Sequence, residues 1–442
     1  MRNVIFSVVV ALCPIASSSQ SWTARQCMQY AVEHNHDVKR AELELDNYKA
    51  QQTGAVGRFL PAVDAAVGVQ YNFGRAINPE TNGYTDVSTF YNGYSLQASL
   101  PVFDGFSRLH ALRAAKAGVL MGQSALRQRQ NLAALNVLQA FAHVAYYEGL
   151  VGMARQKVAE TELLLSQSRL MEEVGRKSSA DVAQVESQRA EADYELLRQQ
   201  NLHASALLEL KKEMAFPLND TLAIAVFASD TLCICPEYTP YMRQIQTVYA
   251  SDTNAELQAS YYDMLSRRHE WYQARAAFFP TLSFSAGLNT TYYHTLHSHT
   301  AQAFGSQFRN NMGQYVAATL SIPLFNRLQT ITSVRKAKNN YRMAQEAYAQ
   351  KQLELAKLCR EAFQDWQGYL KQTEQMEKKV EADSIAYQLT RRQYEEGLTT
   401  AIELRTTSSE LLNSKATLLQ CRLMAMVKEH LIRYYRGATI WD

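Results

Sequence analysis

Proline and glycine are both scarce, 9 and 18 in 442 residues, so the chain favours long uninterrupted elements over many short ones. Charge of one sign is also missing. Forty-five Lys+Arg against 42 Asp+Glu leave a net charge of +3, without the basic excess that a nucleic-acid binder gathers on one face. Beyond the N-terminus no apolar run reaches about 18 residues, which excludes a polytopic helical membrane protein. A disulfide framework is not indicated, because the six cysteines leave an odd five after the leader, widely scattered. Cys233 and Cys235 stand too close along an extended stretch to pair well, and they have no nearby partners for a metal. Hydrophobic residues make up 47%, so wholesale disorder is excluded too.

Residues 1–20 have the layout of a secretory leader: Arg2, an apolar run Val4 to Leu12, then small residues Ala16 to Ser19. Cleavage is expected near Ser19 or Gln20. Lipidation of Cys13 is not favoured, because Leu12 precedes it where that processing needs a small residue.

The mature sequence is written twice. Phe59-Leu60-Pro61 returns as Phe278-Phe279-Pro280, with Asn35 matching Asn254 and Gly68 matching Gly287. Leu100-Pro101-Val102-Phe103 returns as Ile322-Pro323-Leu324-Phe325, and Gly175, Arg169 and Asp181 return as Gly397, Arg391 and Glu403. This predicts repeats over 21–240 and 241–442. Each is a helix, two strands (60–103 and 279–325), a long helix (104–174 and 326–396), a tip (175–180 and 397–400) and a return helix (181–216 and 401–437). The strands alternate apolar with small or polar residues, Val63, Val67, Leu96 and Leu100 on one face against Asp64, Gly68, Gln97 and Ser99 on the other. Strands between lipid and a wet lumen read this way, with aromatics near their ends; so does a soluble sheet half buried on a core. Four strands cannot close a barrel, since single-chain barrels start at about eight, so a barrel would need several copies.

The rest reads as helix. The proline-free stretch 104–174 has 71 residues, which as helix spans about 105 Å. Val334, Tyr341, Tyr348, Leu355, Ala362 and Tyr369 recur every seventh position, the mark of an underwound helix packed in a left-handed seam. At each tip a glycine (Gly175, Gly397) stops the long helix, Ser or Thr caps the next, and an acid follows in its first turn. Capping alone accounts for much of that local sequence.

The Phe-x-Pro that opens each strand pair, Leu-Pro-Val-Phe-Asp-Gly and Ile-Pro-Leu-Phe that close it, and Arg391-Arg392-Gln393-Tyr394-Glu395-Glu396-Gly397 before the second tip resemble the TolC family of outer-membrane efflux and secretion ducts. The resemblance spans nearly the whole mature chain. It implies a mainly α fold with a small β part, in which long antiparallel helical hairpins form an α-barrel. Four strands from each protomer join a trimeric 12-stranded transmembrane β-barrel. It further implies a homotrimer in the outer membrane of a Gram-negative bacterium, with outer-membrane lipid around the strands and the helices in the periplasm. A periplasmic membrane-fusion adaptor and an inner-membrane transporter would be its partners, and drugs, toxic compounds or proteins its cargo. By the same resemblance Asp181, Tyr394 and Glu403 match tip-gate positions, and the Tyr394 hydroxyl is expected to bond the Asp181 carboxylate across hairpins. Gly175 and Gly397 mark the turns where an adaptor would dock. Two positions depart from the family: Thr399 stands where a latch Arg is usual and Thr406 where a second acid is usual, so Arg405 and Arg176 become substitutes.

No dinucleotide, P-loop, zinc-protease or serine-hydrolase signature occurs, so no enzyme and no cofactor are expected. His294, His297 and His299 are close enough to suggest a metal, but they fall in the loop between the third and fourth strands and read as exposed polar residues. Arg335, Lys336 and Lys338 read as a solvated helix start rather than a nucleic-acid patch. The competing function is an exported coiled-coil scaffold or adhesin with no channel.

Overall fold

The computed structural model describes residues 21–77, 82–86, 88–225, 253–295 and 302–441. The leader, Cys233, Cys235, His297, His299 and the boundary at 240/241 lie outside them. The described residues form two compact units, one drawn from Met1–Ala41, Leu126–Ala255 and Leu353–Asp442, the other from Glu42–Ala125 and Glu256–Gln352.

The second unit holds the sheet. Its strands are β1 (Ala62–Asn72), β4 (Thr89–Phe103), β5 (Thr281–Thr295) and β6 (Gly313–Ser321), antiparallel in the order β1-β4-β5-β6. A small hairpin of β2 (Arg75–Ile77) and β3 (Tyr84–Asp86) fills the first inter-strand connection, and a short helix α6 (Phe304–Asn310) lies in the other. Neither was legible as an element in the alternation of residues. The register sets Val67 beside Tyr94 and Tyr94 beside Thr290, and Leu96 beside Leu288, so one face is mainly apolar, with Asn92, Thr290, His294 and Gln314 as its polar members. That face is not a buried core. Val63, Val67, Phe284, Val316 and Leu320 are between 44% and 83% exposed. Among the described residues β1 and β6 are each paired on one side only.

Helices α1 (Ala24–His34) and α2 (His36–Gly57) replace the single helix expected before the first strand pair. The break is at Asn35, whose backbone is extended; its Oδ1 accepts from the Asp37 amide at 2.8 Å, starting a new helix. Its Nδ2 donates to the Glu213 carbonyl at 2.9 Å, at the end of α4 (Ser179–Met214). The repeat partner does the same work: Asn254, fully buried before α5 (Ala255–Ala276), donates to the carbonyls of Tyr434 and Tyr435 at the end of α8 (Ala401–Tyr435).

The long helices are α3 (Ser107–Glu173) and α7 (Gln329–Glu395), 67 residues each and about 100 Å of rise. No residue of the sevenfold stripe on α7 is exposed, and Leu355 and Ala362 are 0% and 2% accessible. In the first unit α1, α3, α4 and α8 bury Cys27, Leu138, Phe141, Leu210, Met214 and Val427 together. Cys27, Cys359 and Cys421 are free and buried, small apolar packing residues in effect. Among the described residues no helix is long and apolar enough to cross a membrane.

Candidate functional site: the hairpin tips and the polar seam behind them

Both long helices stop by the same device. The Arg176 amide reaches back to the Met171 carbonyl at 2.7 Å and the Gly175 amide to Glu172 at 2.8 Å; Leu398 to Gln393 at 2.8 Å and Gly397 to Tyr394 at 3.0 Å repeat the pair. These bonds satisfy the last carbonyls of a helix whose next residue is left-handed, and Gly175 and Gly397 have φ of 74° and 80°, which favours glycine.

The acids beyond the turns serve the return helices. Ser178 accepts from the Asp181 amide, while an Asp181 carboxylate oxygen accepts from the Ser178 amide at 3.1 Å and hydroxyl at 2.8 Å, a closed capping box. Those hydrogen bonds to Ser178, first from its side chain, hold the Asp181 carboxyl below its ordinary range, with Lys177 adding to the effect. In the second copy Thr400 accepts from the Glu403 amide at 3.3 Å, but the Glu403 carboxylate turns to the Thr399 hydroxyl, where the family would carry an Arg.

Tyr394 departs from the expected latch. Its hydroxyl lies 3.3 Å from the Ser168 hydroxyl of α3, not on Asp181, whose carboxylate is taken by its own cap. The ring is 3% exposed, packed with Leu165, Val182, Val185, Ala401 and Leu404. The Lys177 ammonium stands 3.2 Å from its centroid; its nitrogen is buried without a hydrogen-bond acceptor and faces the ring instead. Tyr394 thus joins α7 to both helices of the first hairpin, and Gln188 of α4 adds a bond to the Ala401 carbonyl at 3.1 Å.

Behind the tips runs a polar seam that the sequence reading missed. The Lys157 ammonium donates to the Ser408 hydroxyl, and the Tyr387 hydroxyl donates to Glu160 at 3.1 Å. Burial lowers the Lys157 pKa, against the pull of Glu160 and Glu191. Burial, with Glu160 beside it, pushes the Tyr387 hydroxyl up to about 12. Arg405 reaches Glu191 at 3.7 Å, and Arg169 pairs with Glu186 at 2.5 Å. Of the two proposed substitutes for the missing Arg, only Arg405 makes an ion pair among the described residues. A cavity of about 420 Å³ opens beside the seam, lined by Tyr146, Met153, Lys157, Gln188, Glu191 and Arg405 among others. Of the missed residues, Tyr387 alone was findable: 359, 366, 373, 380, 387 and 394 form a second sevenfold row, set four positions on from the first, and none of the six is exposed.

His294 sits at the end of β5, level with Phe90; among the described residues no cluster of three or more metal-ligating side chains occurs.

Long paired helices, capped glycine tips and a four-stranded sheet with a bare apolar face are the setting in which comparison decides. The profile of the family described as outer membrane efflux protein matches residues 27–214 and 249–429. The chain belongs to that family. The efflux proteins most like it include a probable efflux pump outer membrane protein TtgC and the antibiotic efflux pump outer membrane protein ArpC, both of Pseudomonas putida. Each is 24% identical over 94% of this chain and 84% of its own length. Among solved structures CusC superposes with a TM-score of 0.78 at 16% identity, covering 94% of this chain and 92% of its own. VceC of Vibrio cholerae gives 0.78 at 14%, covering 94% and 96%. The open-state MtrE channel of Neisseria gonorrhoeae gives 0.73 at 15%, covering 94% and 89%. The fold is that of the outer-membrane channels, and the chain is an outer-membrane efflux duct of a Gram-negative bacterium. The scaffold or adhesin alternative is not favoured.

Proposed function

We propose that three copies of this chain close a 12-stranded barrel in the outer membrane and continue as a helical tunnel in the periplasm, ending at the tips. The sheet carries this reading. It is apolar on one face and small or polar on the other, open at β1 and β6, and four strands are too few to close. Joining β1 of one copy to β6 of the next removes every edge and turns the apolar face to lipid. A periplasmic adaptor engages the helices at Gly175 and Gly397, and an inner-membrane transporter supplies the cargo. Relatives named for antibiotics and toluene favour small toxic compounds over proteins as that cargo.

Asp181, Tyr394 and Glu403 act at the gate in different ways. Tyr394 is the pin that holds α7 against the first hairpin, and opening requires its ring to leave the pocket of Leu165, Val182 and Leu404. Asp181 and Glu403 keep the return helices formed up to the mouth and give it a negative charge. The test is single-channel current through purified trimer in planar bilayers, wild type against Tyr394→Ala. Small currents that rise in the variant support a duct gated at the tips. Equal currents discard Tyr394 as the pin, and no current from verified inserted trimer discards the duct.

A further inference from the structure

The apolar face of the sheet is not bare along its whole length. At its loop end α6 lies on it, with the Phe304 ring 5.2 Å from Tyr292 and the Phe308 ring 5.4 Å from Tyr94, both edge to face. Tyr94 and Tyr292 stand two and four residues along their strands from Leu96 and Leu288, so they project on the apolar side. The helix is clamped there. Gln307, 7% exposed, donates to the Tyr293 carbonyl and accepts from the Tyr293 amide, both at 2.9 Å. Thr290 donates to the Phe308 carbonyl at 2.7 Å and Asn311 to the Thr291 carbonyl at 2.8 Å. Four bonds to one strand make α6 a fixed part of the outer wall rather than a swinging loop.

Its level matters. Across the register Thr290 and Tyr292 stand level with Tyr94 and Asn92, and these with Val67 and Val69 of β1. Those valines are 67% and 61% exposed, so α6 lies level with uncovered apolar surface on the same face. This stretch also adds apolar surface of its own, since Phe304 on α6 and Met312 just beyond it are 47% and 53% exposed. Ser306, Arg309 and Asn310 are exposed on the same short stretch and could not be taken into hydrocarbon without large cost. Aromatic rings beside polar and cationic groups favour the boundary between headgroups and acyl chains.

We propose that α6 is an interfacial collar outside the barrel, seated in outer-leaflet lipid at that boundary. Phe304 and Met312 meet acyl chains, and Arg309 stays among the headgroups. The inference rests on reading the apolar face as the lipid face, and the two can fail separately. The four native tryptophans, Trp22, Trp271, Trp366 and Trp441, all lie outside the sheet and α6, so an added one reports locally. The experiment uses full-length trimer in phosphatidylcholine bilayers brominated either near the headgroup or near the chain end. Phe304→Trp and, independently, Met312→Trp should lose most of their added emission to the shallow bromines and less to the deep ones. Val316→Trp, on the bare part of β6, should be quenched most by the deep bromines. Quenching of Val316→Trp with none at Phe304→Trp or Met312→Trp overturns the collar, and the next subunit or solvent then covers it. No quenching at any of the three overturns the lipid face and the collar together.

Discussion

The two halves of the chain make the same backbone turns into and out of their long helices with different residues, and the contrast separates what the backbone demands from what the side chains add. Each strand pair enters its long helix through two consecutive left-handed residues, Gly105-Phe106 (φ 66° and 69°) and Arg327-Leu328 (φ 55° and 64°). An Asp or Asn just before them caps the helix. Asp104 accepts from the Arg108 amide at 3.1 Å, and Asn326 from Thr330 at 3.4 Å. Only the first copy needs glycine for space, since a Cβ on Gly105 would sit 2.6 Å from the Ala276 carbonyl oxygen and 2.8 Å from the Phe279 Cβ. Arg327 is exposed and bears only the cost of its φ. Gly105→Ala should therefore lower stability by about 3 kcal/mol, clash and left-handed strain together. Arg327→Gly should raise it by about 0.5–1 kcal/mol. Denaturant midpoints in detergent would compare them, and equal shifts of one sign would end the asymmetry.

The tips differ in the same spirit. The second copy supplies Tyr394, and Leu165, Val182 and Val185 of the first line its pocket together with Ala401 and Leu404 of the second, so on the proposed role of Tyr394 the largest gating effect should follow its loss. Tyr394→Ala empties a buried site and should cost about 3 kcal/mol of local stability, whereas Tyr394→Phe loses only the bond to Ser168, about 1 kcal/mol. Single-channel currents should rank Ala well above Phe, and Phe near wild type. A Phe variant as open as Ala would shift the weight from packing to the hydroxyl.

The seam behind the tips gives the next test. Burial, with Glu160 beside it, pushes the Tyr387 hydroxyl up to about 12 from its ordinary value of 10.0. Folding favours its protonated form, so its contribution is intact below the ordinary value and is lost as pH rises from there through about 12. Tyr387→Phe should flatten that part of the alkaline melting profile relative to wild type. An unchanged profile would assign the alkaline loss elsewhere.

The architecture was legible because each element carries its own local signal. Sevenfold rows, glycine stops, Ser and Thr caps and twofold alternation are short-range patterns, and the duplication printed each of them twice. What stayed hidden depends on partners distant in sequence. That Tyr394 meets Ser168 rather than Asp181 follows from how the two hairpins pack, and Asp181 was already committed to Ser178 three residues away. The pairs Lys157 with Ser408 and Glu160 with Tyr387 span more than two hundred positions. The break at Asn35 hid for a related reason. Its amide bonds to Glu213, and no local residue marks that need. Helix α6 is seven residues long, too short for a period to declare itself.

The smallest expected effect returns to the two caps. Asp181 closes a reciprocal box, whereas the Glu403 carboxylate is spent on Thr399, so the same acid position carries unequal weight. Asp181→Ala should cost about 1 kcal/mol and Glu403→Ala a few tenths, read as denaturant midpoints. The pH dependence should follow. Asp181 has its pKa depressed by Ser178, so its contribution is present above the ordinary value of 3.8 and lost as pH falls through the folded value. Acid should therefore loosen the first return helix, which amide exchange at Val182 would show, with Leu404 of the second return helix as the reference. Simultaneous loss at both would mean that the tip opens as one unit whichever cap fails first.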